Sequence, residues 1–202
     1  MSVIYNVGGG LYINLTNRCT ADCVFCVRRQ HDAVGSADTL WLDAEGEPSA
    51  EQVLAEITNQ ALEAASEVVF CGFGEPTLRL DDLLNVAEGL KKRRPDVRVR
   101  VNTNGHANLI HGADVTPRFE GLIDALSVSL NYPDQDAYNA HCNPQFGPRA
   151  FDAVIEFARL AKRRVPEVTM TALDTLTERE LDACRAIARR AGAGFRVRST
   201  IS

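Results

Sequence analysis

The chain has 202 residues, 45% hydrophobic and 24% charged, an ordinary balance for a globular protein with length enough for a sizeable core. Its net charge of −5 argues against a general electrostatic affinity for nucleic acid or anionic membranes. No stretch reads as a membrane span, and the opening MSVIYNVGGG lacks the basic start and apolar run of a signal peptide, so the expected location is cytoplasmic.

Short β-branched runs then alternate with amphipathic stretches. The first strand is predicted over 11–16 (LYINLT), followed by an irregular segment over 31–48. A helix is predicted over 49–66. Ser49 and Gln52 stand at capping-box spacing, and Val53, Leu54, Ile57 and Ala61 share a face. A strand over 67–72 leads to a helix over 80–94, which stops before Pro95. The basic run Lys91–Arg94 closes that helix, where cations complement the dipole, and reads as a helix end rather than a phosphate-binding patch. Strands follow over 97–103 and 125–131, with irregular residues over 104–120 and 132–147. A helix over 148–164, a strand over 167–173, a helix from the Thr177/Glu180 capping box to Gly192 and a strand over 195–200 complete the chain.

Six strands alternating with helices predict a parallel α/β sheet in a single domain over 1–202. The C-terminal ends of four strands turn polar and glycine-rich: NLTNRC, GFGEPT, VNTNGH and SLNYPD. In α/β sheets and barrels that edge carries the chemistry.

Six cysteines in a chain expected to stay reduced suggest metal rather than disulfides. Cys19, Cys23 and Cys26 fall within eight positions directly after the first strand. Structural zinc wants four ligands, and His31 is the one nearby fourth candidate. Cys71, Cys142 and Cys184 are single and scattered; Cys71 on a strand and Cys184 on an apolar helix face read as core. Three thiolates on a four-iron cluster leave one iron open for another molecule. A non-catalytic zinc or iron–sulfur protein, or an α/β binding module with incidental cysteines, are the alternatives.

The Cx3Cx2C motif, with Phe25 before its last cysteine, resembles that of the radical S-adenosylmethionine (SAM) enzymes. The resemblance runs over residues 11–200 and implies a (β/α)6 partial, open TIM-type barrel. It also implies a [4Fe–4S] cluster on Cys19, Cys23 and Cys26 and SAM chelated at the fourth iron. In that family one electron, here from a reductase such as flavodoxin or ferredoxin, splits SAM into methionine and a 5′-deoxyadenosyl radical that abstracts hydrogen from substrate. Gly72-Phe73-Gly74-Glu75-Pro76 resembles the family's glycine–glutamate loop, with Phe73 where the tightest pattern has glycine. Gly72 and Gly74 would then allow close backbone approach, and Glu75 would accept from the SAM ammonium.

Ser127, Ser129 and Asn131 alternate onto one strand face. The family contacts the SAM ribose from this strand end, which implies Ser129 and Asn131. Asn102-Thr103-Asn104-Gly105 is similar to another family strand end and implies Asn104 in the same cavity; Phe25 is implied at the adenine face. The fifth strand, VTMTALD, lacks the family's adenine-supporting glycine. Arg196 and Arg198 share a face; Arg198 is the choice for the SAM carboxylate, either would suit an acidic substrate, and a solvated edge strand is the alternative reading.

Within the family, LYINLTNRCTADCVFCVR, LWL, GFGEPT, LSVSLN and HCNPQFG resemble the TatD-associated radical SAM proteins, which implies association with a TatD-type hydrolase. Neither an auxiliary cluster domain nor a cobalamin domain is expected. Cover for the barrel mouth would come from the loops at 31–48, with Trp41, and 132–147, or from a partner or large substrate. Cys142, beside His141, is a candidate to deliver a hydrogen atom or hold a substrate. A small anionic heterocycle and a protein remain the competing substrate types.

Overall fold

The computed structural model describes residues 1–43 and 46–200. These fall into two compact units, one of Met1–Cys19, Val27–Asn102 and Gly121–Asp124, the other of Thr20–Cys26, Thr103–Glu120 and Ala125–Ser202.

The first unit opens with a hairpin absent from the predicted strands. β1 (Ile4–Val7) runs antiparallel to β2 (Gly10–Ile13), with Val7 opposite Gly10. Gly8 and Gly9 turn the chain at φ +55° and +85°, the left-handed pair that a two-residue hairpin demands. The helix predicted over 49–66 is two helices, α1 (Ala50–Glu56) and α2 (Asn59–Ala64). The Ser49/Gln52 capping box starts α1 as expected. Ile57 then turns extended, and the Thr58 hydroxyl accepts from the Ala61 amide at 3.1 Å, starting a second helix inside an unbroken apolar pattern.

β3 (Val68–Phe70) lies parallel to β2, and β4 (Val99–Thr103) parallel to β3, with α3 (Leu80–Arg93) between them in the chain. Leu83, Val86, Ala87 and Leu90 of α3 are fully buried, as are Ile13, Val68, Phe70 and Val101 of the strands. The basic run is structural, as predicted. Arg93 donates to the Leu54 carbonyl at 2.8 Å, and Arg94 to those of Leu62 and Ala65 at 2.8 and 2.9 Å. These carbonyls close α1 and α2 and would otherwise lack donors.

The second unit holds α4 (Ala107–His111), β5 (Ala125–Asn131), α5 (Gln135–Cys142), α6 (Arg149–Ala161), β6 (Glu167–Leu173), α7 (Glu178–Arg190) and β7 (Gly194–Arg198). β5, β6 and β7 pair in that order, all parallel, and α6 packs on β5. The six predicted strands correspond to β2–β7, so the α/β reading with parallel strands holds. α4 and α5 occupy stretches read as irregular. α4 is five residues long and stops at Gly112, φ +67°. α5 is capped by the Asp134 carboxylate, which accepts from the Ala137 amide at 2.9 Å. No helix among the described residues is long and apolar enough to cross a membrane.

Candidate cofactor site

In the first unit the chain leaves β3 at Phe70 and makes the Gly72–Glu75 turn. This turn lies directly on residues 14–18, the approach to Cys19. A Cβ on Gly72 would overlap the Asn14 side chain; on Gly74 it would overlap the Thr16 and Arg18 carbonyl oxygens. The Glu75 amide donates to the Arg18 carbonyl at 2.8 Å. The Glu75 side chain is buried, and its Oε1 accepts from the Thr77 amide at 3.1 Å and the Thr77 hydroxyl at 2.6 Å. Phe73, the departure from the family's glycine, is buried with Tyr5 and Leu40, and Trp41 meets it edge-on at 4.9 Å. Trp41 thus packs against this turn, and its Nε1 donates to Asp32 at 3.0 Å. Within the 31–48 segment, residues 44 and 45 lie outside the described residues.

Glu47, which the sequence did not single out, anchors the same approach. It accepts from the Thr16 hydroxyl, from Arg18 at 2.7 Å and from Arg79 at 3.0 Å. Burial opposes ionisation there, yet the Arg18 and Thr16 hydrogen bonds and the charges of Arg18 and Arg79 hold the carboxyl below its usual range. Cys71, expected in the core, stands one residue beyond β3 and is only half-buried; its amide donates to the Ile13 carbonyl at 2.9 Å.

In the second unit the cysteine loop is stitched to the end of α5. The Asp22 amide donates to the Cys142 carbonyl at 3.0 Å and the Val24 amide to that of His141 at 2.9 Å. These are carbonyls of the last turn of α5, which a helix leaves without internal donors. The Gln145 amide returns a bond to Thr20 at 2.9 Å, and the Cys26 amide donates to Cys23 at 3.1 Å.

A buried side-chain chain holds the same loop. Asn104 Nδ2 donates to Thr20 Oγ1 at 2.9 Å, while Asn104 Oδ1 accepts from the His106 amide at 2.9 Å. Thr20 Oγ1 lies 2.9 Å from His106 Nδ1, and His106 Nε2 lies 2.8 Å from the Tyr138 hydroxyl. Burial pushes the His106 pKa down to about 4, so the ring is neutral near pH 7. With Thr20 accepting from Asn104, its own proton is available to Nδ1, and the imidazole proton then sits on Nε2 toward Tyr138. Asn104 is therefore a loop anchor in this structure. Thr20, His106 and Tyr138 carried no motif that could have revealed them.

Asn131 ends β5 with φ +61°, at a register shift against β6. Asparagine is among the few non-glycine residues that tolerate this region. Its Oδ1 accepts from Arg198 at 3.3 Å, and its Nδ2 faces the Cys142 sulfur at 3.5 Å. Cys142 closes α5 and is buried. A hydrogen bond with Cys23 holds its pKa below the usual thiol value, with Asn131 adding to the effect against the pull of burial. Arg198, Asn131, Cys142 and Cys23 thus form one continuous contact line, and the Cys142 thiol is enclosed within it rather than presented on an open loop. Phe25 lies 6.1 Å from the Tyr132 ring, which stacks on His141 at 4.6 Å. Ser129 is half-buried beside Thr171 of β6. Cys184 is fully buried on α7, and burial pushes its thiol up to about 12, as a core cysteine should be.

None of the six cysteines is in a disulfide. Among the described residues no three His, Cys, Asp or Glu side chains are drawn together to hold an ion as they stand. The donor set is defined instead by its chemistry: three partly exposed thiols on eight consecutive residues. Thiolates are the ligands of iron–sulfur clusters, and the set fits that group.

The α/β chain thus carries a three-thiol loop after β2 and a close-packed glycine–glutamate turn after β3. Residues 13–187 match the radical SAM superfamily, and the chain belongs to it. Members of that superfamily are enzymes that use a [4Fe–4S] cluster and SAM. Over 148 residues, 73% of this chain, it is 30% identical to a probable GTP 3′,8-cyclase of Halobacterium salinarum, whose length it spans by only 37%. The fold is shared with a radical SAM methyltransferase from Sphaerobacter thermophilus (TM-score 0.64, 16% identity, 97% of this chain and 68% of that one). It is shared also with Streptococcus suis SuiB bound to S-adenosylmethionine (TM-score 0.64, 16% identity, 95% and 38%). These likenesses bear out the partial TIM-type barrel expected from the sequence.

Proposed function

We propose that this chain acts as a radical SAM enzyme on a small anionic substrate, with Cys19, Cys23 and Cys26 as the cluster ligands. When bound and given one electron, the cluster and SAM supply a 5′-deoxyadenosyl radical able to take a hydrogen atom from substrate. The chain's own residues bind and orient. The turn at Gly72 and Gly74 offers backbone, and Glu75 offers a carboxylate, to the SAM ammonium. Ser129 and Asn131 serve the ribose, Asn104 supports the cavity through Thr20, and Phe25 takes the adenine face. Arg198, held by Asn131, takes the SAM carboxylate. Cys142 supports Cys23 from a buried position.

The observation that carries this reading is the cysteine loop itself, three partly exposed thiols within eight residues on a loop whose Asp22 and Val24 amides are tied to the end of α5. The likeness to probable GTP 3′,8-cyclases supports a small anion over a protein as substrate. The motifs quoted from residues 11–28 and 141–147 support the TatD-associated group, with a TatD-type hydrolase as neighbour in function; a flavodoxin or ferredoxin as electron donor and the cytoplasm as location complete the proposal.

Anaerobic reconstitution with iron and sulfide should give a brown protein that forms 5′-deoxyadenosine from SAM under dithionite. Cys19→Ala, Cys23→Ala and Cys26→Ala should each abolish both colour and product. Zinc without sulfide in the purified protein, or a fully loaded cluster that never cleaves SAM, would refute the reading.

A further inference from the structure

The register of the second unit lines up polar side chains on one face of β5, β6 and β7. Thr169 stands opposite Ser127, and Thr171 stands between Ser129 and Arg196. Thr171 is completely buried, and its Oγ1 has no hydrogen-bond partner. A buried hydroxyl without a partner is destabilising and points to a group that completes it. Arg196 is exposed to solvent and carries five N–H donors; among the described residues one of them reaches a side chain, from Nη2 to Ser127 Oγ at 3.4 Å, and no ion pair neutralises it.

We propose that Arg196, Thr171 and Ser127 form the subsite for an oxyanion of the substrate, a carboxylate or a phosphate. A guanidinium matches either group with two parallel hydrogen bonds, and the two hydroxyls add donors from the adjoining strands. The SAM carboxylate is the other anion to consider, and the contact line separates the two. Arg198 is joined through Asn131 and Cys142 to Cys23, so its row belongs to the cysteine loop. Arg196 lies two residues earlier, about 6.6 Å further along the strand. The subsite rests on the cofactor reading only for naming the anion as substrate rather than cofactor.

The test uses the reconstituted, SAM-loaded full chain treated with phenylglyoxal, with modification of each arginine followed by peptide mass spectrometry. Inorganic phosphate and acetate are added in separate series. One of them should slow modification of Arg196 while exposed Arg189 and Arg190 react as before. Protection by phosphate alone assigns a phosphoryl group, and protection by acetate alone a carboxylate. Thr171→Val should raise the half-protecting concentration about tenfold, the loss of one hydrogen bond to a charged group. A rate at Arg196 that neither anion changes, or protection undiminished in Thr171→Val, overturns the proposal. 5′-Deoxyadenosine formation, scored on the same untreated preparation, reports the cofactor reading separately, so failure of one is not mistaken for failure of the other.

Discussion

At residues 72–75 the chain has no room, while on the β5–β7 face one buried hydroxyl, that of Thr171, has no partner. The glycine turn sets backbone on backbone, so that one added carbon on Gly74 meets two carbonyl oxygens. On β5, β6 and β7 the backbone is paired in parallel, yet the buried Thr171 hydroxyl is left without a partner. The first region is specified by shape. The second leaves one buried hydroxyl that its own chain does not satisfy.

Gly74→Ala is the sharpest way to break this contrast. It should cost about 3 kcal/mol, the upper end for forced overpacking, and lower the thermal midpoint accordingly. Gly72→Ala should cost less, because it meets the Asn14 side chain, which can turn, rather than backbone. A Gly74→Ala protein that melts with the parent would show that the turn has slack.

His106 stands between the extremes, buried and fully partnered. Its folded pKa of about 4 lies below the unfolded value near 6.5. The unfolded chain therefore binds more protons in that window. The stability is fully present above pH 6.5 and falls as the pH drops through 4, by on the order of 3 kcal/mol in total. Denaturant midpoints between pH 7 and pH 4 should show this slope, and His106→Gln should flatten it. An equal slope in the variant would assign it to other groups.

Thr171→Val is the smallest effect and has the opposite sign. Replacing an unpartnered buried hydroxyl by a methyl should stabilise the free protein by about 1 kcal/mol. A loss of stability would mean that the hydroxyl is already satisfied.

The parts that were legible in the sequence are those that local pattern governs. β2–β7 announced themselves by β-branched runs between amphipathic stretches, and the capping boxes at Ser49 and Thr177 were found where the spacing placed them. β1 is four residues long with a polar Asn6 in its centre, too short for alternation to register. Thr58 breaks a helix by accepting one amide bond, which an apolar count over the window cannot see. Cysteine spacing and the glycine–glutamate turn were legible because their chemistry dictates residue type and separation. Glu47, His106 and Thr171 act through contacts with residues 29 or more positions away, or through strand register, and neither leaves a mark along the chain.

β7 has one further consequence. It pairs with β6 and with no other strand among the described residues, so one row of its amides and carbonyls lies along a sheet margin. Val197, on the opposite side of that strand from the arginines, is 37% exposed. Charges at alternate positions discourage a second molecule from adding its own strand there. Arg196 and Arg198 thereby keep that margin from pairing, and a chain stripped of both would risk self-association.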